Sequence, residues 1–126
     1  MRTLRVGIAS YEEMKARTLA IARGGYRPAA GEPKVWFTSA ESFARVLSDR
    51  NRALLGIIAE SAPGSLARLA EISGRKKSNL SRTLKTMERY GFVQLNRGAR
   101  GSVIPRVPYQ QISLTLPLSR PRREAA

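Results

Sequence analysis

The chain has 126 residues, of which 42% are hydrophobic, and 23 lysines and arginines against 9 acids give a formal net charge of +14. That length supports one domain with a modest core, and the charge favours nucleic acid, an anionic membrane surface or an acidic protein as partner. There is no cysteine and no histidine, and Asp49 is the one aspartate. Disulfides, thiol nucleophiles, histidine general bases and the usual zinc sites are therefore excluded, so we expect no enzyme, cofactor or metal centre. The opening Met1-Arg2-Thr3-Leu4-Arg5 lacks the apolar core of a signal peptide, and no stretch approaches a membrane span of about 20 residues. A cytoplasmic protein without membrane contact is the expectation.

Leu4, Val6 and Ile8 alternate with polar or small residues and predict a strand. Ser10-Tyr11-Glu12-Glu13 is a capping box that opens a helix running to about Arg23, where Gly24-Gly25 ends it, so the adjacent glutamates read as first-turn residues. Tyr26 to Pro33, with two prolines and Gly31, reads as a loop before a short strand, Lys34-Val35-Trp36-Phe37. Thr38-Ser39-Ala40-Glu41 repeats the capping pattern for a helix that should bury Phe43, Val46 and Leu47. Ser48 can cap the next helix, in which Leu54, Leu55 and Ile58 recur at helical spacing before Pro63-Gly64 stops it. Ser65 can cap another, with Leu66, Leu69, Ala70 and Ile72 inward and Arg68 outward, broken at Ser73-Gly74.

Lys77 to Tyr90 places Leu80, Leu84 and Met87 on one helical stripe, with Ser78, Arg82, Lys85 and Arg89 on the opposite face. From Arg75 to Arg106 nine basic residues face the single acid Glu88, a local charge of +8. Lys76 and Lys77 sit where the helix begins, against its dipole by about 0.3 to 1 kcal/mol each. An anionic partner would account for that arrangement. Phe92 to Leu95 and Val103 to Val107 flank Asn96-Arg97-Gly98-Ala99-Arg100-Gly101, a hairpin with a basic tip. Ile112, Leu114 and Leu116 alternate as a strand with one buried face, whose partner is expected to be the N-terminal strand. Arg120 to Glu124 is basic, contains proline and has no periodicity, so residues 119–126 read as a disordered tail.

These elements predict an α+β chain in three parts: a strand-helix-strand-helix region at 1–47 for dimerisation or partner binding, a winged helix-turn-helix at 48–118, and the tail. Two short strands are marginal alone, so a second copy should cover the first region, with Tyr11, Trp36 and Phe37 as candidate contacts.

The segment Leu69-Ala70-Glu71-Ile72-Ser73-Gly74-Arg75-Lys76-Lys77-Ser78-Asn79-Leu80-Ser81-Arg82-Thr83-Leu84-Lys85-Thr86-Met87-Glu88-Arg89-Tyr90-Gly91-Phe92-Val93 resembles the MarR-like winged-helix transcriptional regulators. With Pro105 to Tyr109 and the strand after it, the chain is similar to small prokaryotic DNA-binding regulators, some encoded beside a toxin and acting as its antitoxin. The resemblance covers about residues 47–118 well and the first 46 more loosely. It implies a dimeric autorepressor on double-stranded DNA, with a cognate toxin as a second candidate partner. By that likeness Ser78, Asn79 and Arg82 read base edges, Lys76, Lys77, Lys85 and Arg89 hold phosphates, and Arg97 and Arg100 form wing contacts. Arg68 and Arg75 complete the candidate DNA-binding set. Many relatives cap the recognition helix with serine or threonine where this chain has Lys76. Two rival readings share the charge: a toxin inhibitor acting mainly through its N-terminal unit, and an RNA-binding winged helix. The trio Ser78, Asn79 and Arg82 speaks against the latter, because it suits a major groove that A-form RNA makes too narrow to enter.

Overall fold

A computed structural model describes residues 2–118. The order is β1 (Thr3–Ile8), α1 (Tyr11–Ala22), β2 (Val35–Phe37), α2 (Ala40–Val46), α3 (Asp49–Ser61), α4 (Leu66–Ser73), α5 (Lys77–Arg89), β3 (Gln94–Arg97), a short 3₁₀ turn (Ala99–Gly101), β4 (Val103–Arg106) and β5 (Gln111–Thr115). The architecture is mixed α+β. The expected tail lies outside the described residues.

Three parallel strands form one sheet in the order β2-β1-β5. Period-two alternation divides its side chains. Leu4, Val6 and Ile8 of β1 lie beside Val35 and Phe37 of β2 and Ile112 and Leu114 of β5, and this face packs on the helices. On the other face Gly7 lies beside Trp36, and a Cβ at Gly7 would come within 2.6 Å of the Trp36 ring. The missing side chain lets the indole pack closely against the central strand. Arg17 of α1 stands 5.3 Å from that indole and 5.8 Å from the Tyr26 ring, and it pairs with Glu32 at 3.0 Å. These contacts hold α1 to the sheet, for α1 buries none of its own residues.

The sheet and the helices share one core. Leu4, Val6 and Phe37 cluster with Leu54, Leu55 and Ile58 of α3, Leu69 of α4, Leu80, Leu84 and Met87 of α5, and Phe92 and Val93. Phe37 is the joint between the two halves. Its ring stacks on Tyr90 at 4.4 Å and lies 6.1 Å from Phe92, while Phe43 meets it edge-on at 5.4 Å.

That joint corrects several expectations. The regions on either side of residue 47 share one core, and β5, far along the chain, completes the N-terminal sheet by the pairing expected for the last strand. Phe37, 3% exposed, is sealed inside rather than offered to a second copy, and Trp36 is half-buried over Gly7. Tyr11 is 73% exposed. The cap of α2 falls one residue later than Thr38: Ser39 Oγ accepts from Ser42 N, and Ser42 Oγ from Ser39 N. Phe43, Val46 and Leu47 are only half-buried at the core's edge. Ile72 is 37% exposed, since Leu69 already fills the inward position of the short helix α4. The hairpin strands are also shifted. Phe92 and Val93 are core residues before β3, whereas Asn96 and Arg97 belong to the ladder and leave 98–102 as the turn.

Phe37→Ala should lose about 3 to 5 kcal/mol of unfolding free energy by opening a cavity among three other aromatic rings, and Phe37→Leu should lose less. Tyr11→Ala should stay within about 0.5 kcal/mol. Urea unfolding curves of the three variants check this.

Candidate nucleic-acid interface

Four helices start in the same way: Ser10, Ser39, Ser48 and Ser65 each accept a first-turn backbone N–H on the side-chain oxygen. α5 differs. Its cap residue is Lys76, which makes no side-chain capping bond, and its first turn contains no acid. The unshared first-turn N–H groups and the cations Lys76 and Lys77 therefore add positive potential at the same end.

The turn into α5 is sharp because Gly74 takes φ +71, where its N–H donates to Ala70 O at 2.9 Å. Arg75 N then donates to Ser73 Oγ at 3.2 Å. Leu80, Leu84 and Met87 are fully buried, so the opposite stripe faces solvent. At 100° per residue, Ser78, Arg82, Lys85 and Arg89 fall within a narrow arc of that stripe, and all four are exposed, as are Lys76 and Lys77. Three ion pairs occur among the described residues, and none of them draws on a cation of α5 or the hairpin.

Arg75 and Asn79 belong to a different arrangement. The Arg75 guanidinium donates from Nε and Nη2 to Asn79 Oδ1 at 3.0 and 2.7 Å, from Nη1 to Asn51 Oδ1 at 3.2 Å, and from Nη2 to Thr83 Oγ1 at 3.3 Å. Asn51 in turn donates from Nδ2 to Val46 O at 3.0 Å. The fork ties the first turn of α3 to the first turns of α5. Burial, and then the neighbouring Arg50 guanidinium, lowers the Arg75 pKa from its ordinary value. Asn79 sits about 100° around the helix from Ser78, and its carbonyl oxygen is occupied.

The hairpin pairs Gln94 with Arg106, Leu95 with Pro105, Asn96 with Ile104 and Arg97 with Val103. Its turn is closed by Gly98 N donating to Ser102 O at 2.8 Å and Ser102 N to Ala99 O at 3.1 Å. Arg100 occupies the left-handed region at φ +59, a conformation that a non-glycine residue adopts at some cost in strain. Arg97 and Arg100 are both exposed. Arg106, one of the nine cations of the basic stretch, points inward and donates to Pro63 O at 3.2 Å, holding the hairpin base against the turn before α4. Arg68 pairs with Glu71 at 2.9 Å on the exposed face of α4.

The structure thus gathers Lys76, Lys77, Ser78, Arg82, Lys85 and Arg89 on one helix, keeps Arg97 and Arg100 on the adjoining hairpin, and assigns Arg75 and Asn79 to an internal brace. Asn51 joins that brace from a helix about 25 residues earlier in the chain, while Arg50 beside it only repels the Arg75 guanidinium. Spacing alone had no way to place Asn51 there.

Arg75→Lys keeps the charge but loses the fork, and should destabilise the fold by about 1 to 2 kcal/mol. Thermal unfolding beside Asn79→Ala, which removes the main acceptor, checks the coupling between them. Among the comparisons, no curated protein and no solved structure matches the chain. A family model described as HVO_A0114 matches residues 46–114, from the last residue of α2 into β5, and so takes in α3, α4, α5, the hairpin and most of the strand that closes the sheet. The chain belongs to the HVO_A0114 family.

Proposed function

We propose that the protein is a sequence-specific regulator that binds double-stranded DNA through a MarR-like winged helix-turn-helix, with α5 as recognition helix and residues 94–106 as wing. The observation that carries this reading is the division of α5 into a fully buried apolar stripe and an exposed one of Ser78, Arg82, Lys85 and Arg89, unneutralised by acids. A helix of that kind fits the major groove, where arginine pairs bidentately with guanine. The order α3-α4-α5-hairpin is the one a winged helix requires, and in that docking mode Arg97 and Arg100 would meet the flanking DNA backbone.

Within this reading the roles sort by chemistry. Ser78 and Arg82 reach base edges, and Lys76, Lys77, Lys85 and Arg89 neutralise phosphates. Asn79 reads adenine bidentately only if Arg75 releases its oxygen, so it acts first as a brace. Arg68, paired on α4, contributes to the general field.

A salt titration on the duplex upstream of the gene, beside a scrambled duplex and a structured RNA, tests the reading. A preference for the native duplex of about a thousandfold or more supports it, whereas equal affinities that fall together with salt overturn it. Arg82→Ala should erase about 1 to 3 kcal/mol of that preference. Lys85→Ala should weaken both duplexes alike and reduce the salt slope by about 0.9. Lys76→Ser makes an opposed pair of effects: a serine cap should raise stability by about 1 kcal/mol, while DNA affinity falls on every sequence.

A further inference from the structure

The parallel sheet ends on one side at β5, whose outer edge meets no strand among the described residues. Sheet edges are normally blunted by charge, proline or brevity. The opposite edge, β2, follows that rule, being three residues long and preceded by Pro33 and Lys34. β5 does not. Charged residues are one in four of this chain, yet Val107 to Ser119 contains none, the longest such stretch in the sequence, and it includes β5 at the open edge.

The same edge leaves apolar surface uncovered. Leu114 lies beside the fully buried Val6, on the face the helices pack against, but is 36% exposed because the helical layer stops short of it. Leu116, just beyond, is 51% exposed. Next to them an open groove of about 260 Å³ runs between α3 and the start of β5, its floor mainly apolar (Leu55, Ala59, Phe92, Val107 and Ile112) and its rim carrying Arg52 and Gln111.

We infer that the occupant of this edge is a second copy of the chain, its β5 pairing antiparallel with the first about a twofold axis through Ser113. Such a pairing puts Ser113 opposite Ser113, Gln111 opposite Thr115, and Leu114 of each copy opposite Ile112 of the other, at the mouth of the groove. Opposed residues in an antiparallel pair share a face, so both leucines are covered at once. Electrostatics selects the same surface. Two copies of net charge +14 repel, and pairing through a strand with no charge of its own sets no cation of one β5 against the other, Arg5 standing one strand back from Ser113 and Arg52 being paired with Asp49 at the groove. The result is a six-stranded sheet built from an isologous interface. It requires no DNA, and it differs from the Tyr11, Trp36 and Phe37 surface that sequence alone suggested.

Because the chain has no cysteine, a single engineered thiol reports on the axis. Opposed strand residues fall within the Cα separation a disulfide accepts, about 4.4 to 6.8 Å. Ser113→Cys should therefore cross-link to a covalent dimer under mild oxidation, whereas Thr115→Cys, some four residues from its own copy across the axis, should not. Sedimentation equilibrium should show a concentration-dependent dimer for the unmodified chain and a monomer for Leu114→Lys, with the far-UV spectrum of Leu114→Lys unchanged to show that it folds. A monomer at every concentration up to sub-millimolar overturns the proposal. So does a dimer that survives Leu114→Lys without cross-linking through Ser113→Cys, since that assigns the interface to another surface. A complex formed only with a different protein also overturns it.

Discussion

The burial of Leu80, Leu84 and Met87 beneath α5 is the constraint on which the rest of the molecule depends. Each such side chain contributes about 1.5 to 3 kcal/mol by leaving water, and together they hold against the core a helix whose other face carries mostly positive charge. Without that anchor the cations of α5 would repel one another along an uncapped segment. With it, their repulsion becomes a surface potential aimed at solvent.

The same constraint explains the polar detail around α5. The helix lacks a capping side chain, so its start is set from outside: by Gly74 in the left-handed conformation and by Arg75, which spans Asn51, Asn79 and Thr83. Arg75 works as a brace because guanidinium is planar and forked. A cation that looks equivalent to its neighbours Lys76 and Lys77 in the sequence is thus separated from them by geometry. Arg106 makes the same point at the hairpin base, where its guanidinium is spent on the Pro63 carbonyl.

Closure of the N-terminal sheet by β5 ties the first residues of the chain to those more than a hundred positions later. The family match begins at the end of α2 and omits β1, α1 and β2, yet Leu4, Val6 and Phe37 are buried in the same core as the apolar residues of α3 to α5. The N-terminal unit is therefore part of the packing rather than an appendage to it. Its outer layer, α1, is held by Arg17, Trp36 and Glu32 and buries little, and β5 leaves one edge open.

Local physics was legible in the residues themselves. Serine caps, the period-two pattern of β1 and β5, the apolar stripe of α5 and the helix break at Gly74 are all short-range signals, and each element they announced is present within a few residues of its expected bounds. The expected pairing of the last strand with the first also holds, because two half-buried strands need one another. What the sequence could not contain was the set of contacts between distant positions: that Phe37 would close on Tyr90 and Phe92, that Ile72 would face out once Leu69 filled the space, that Arg75 would turn to Asn51. These depend on which surfaces meet when the chain packs, and a linear pattern of charge and hydrophobicity assigns a residue to a face without saying what lies opposite it.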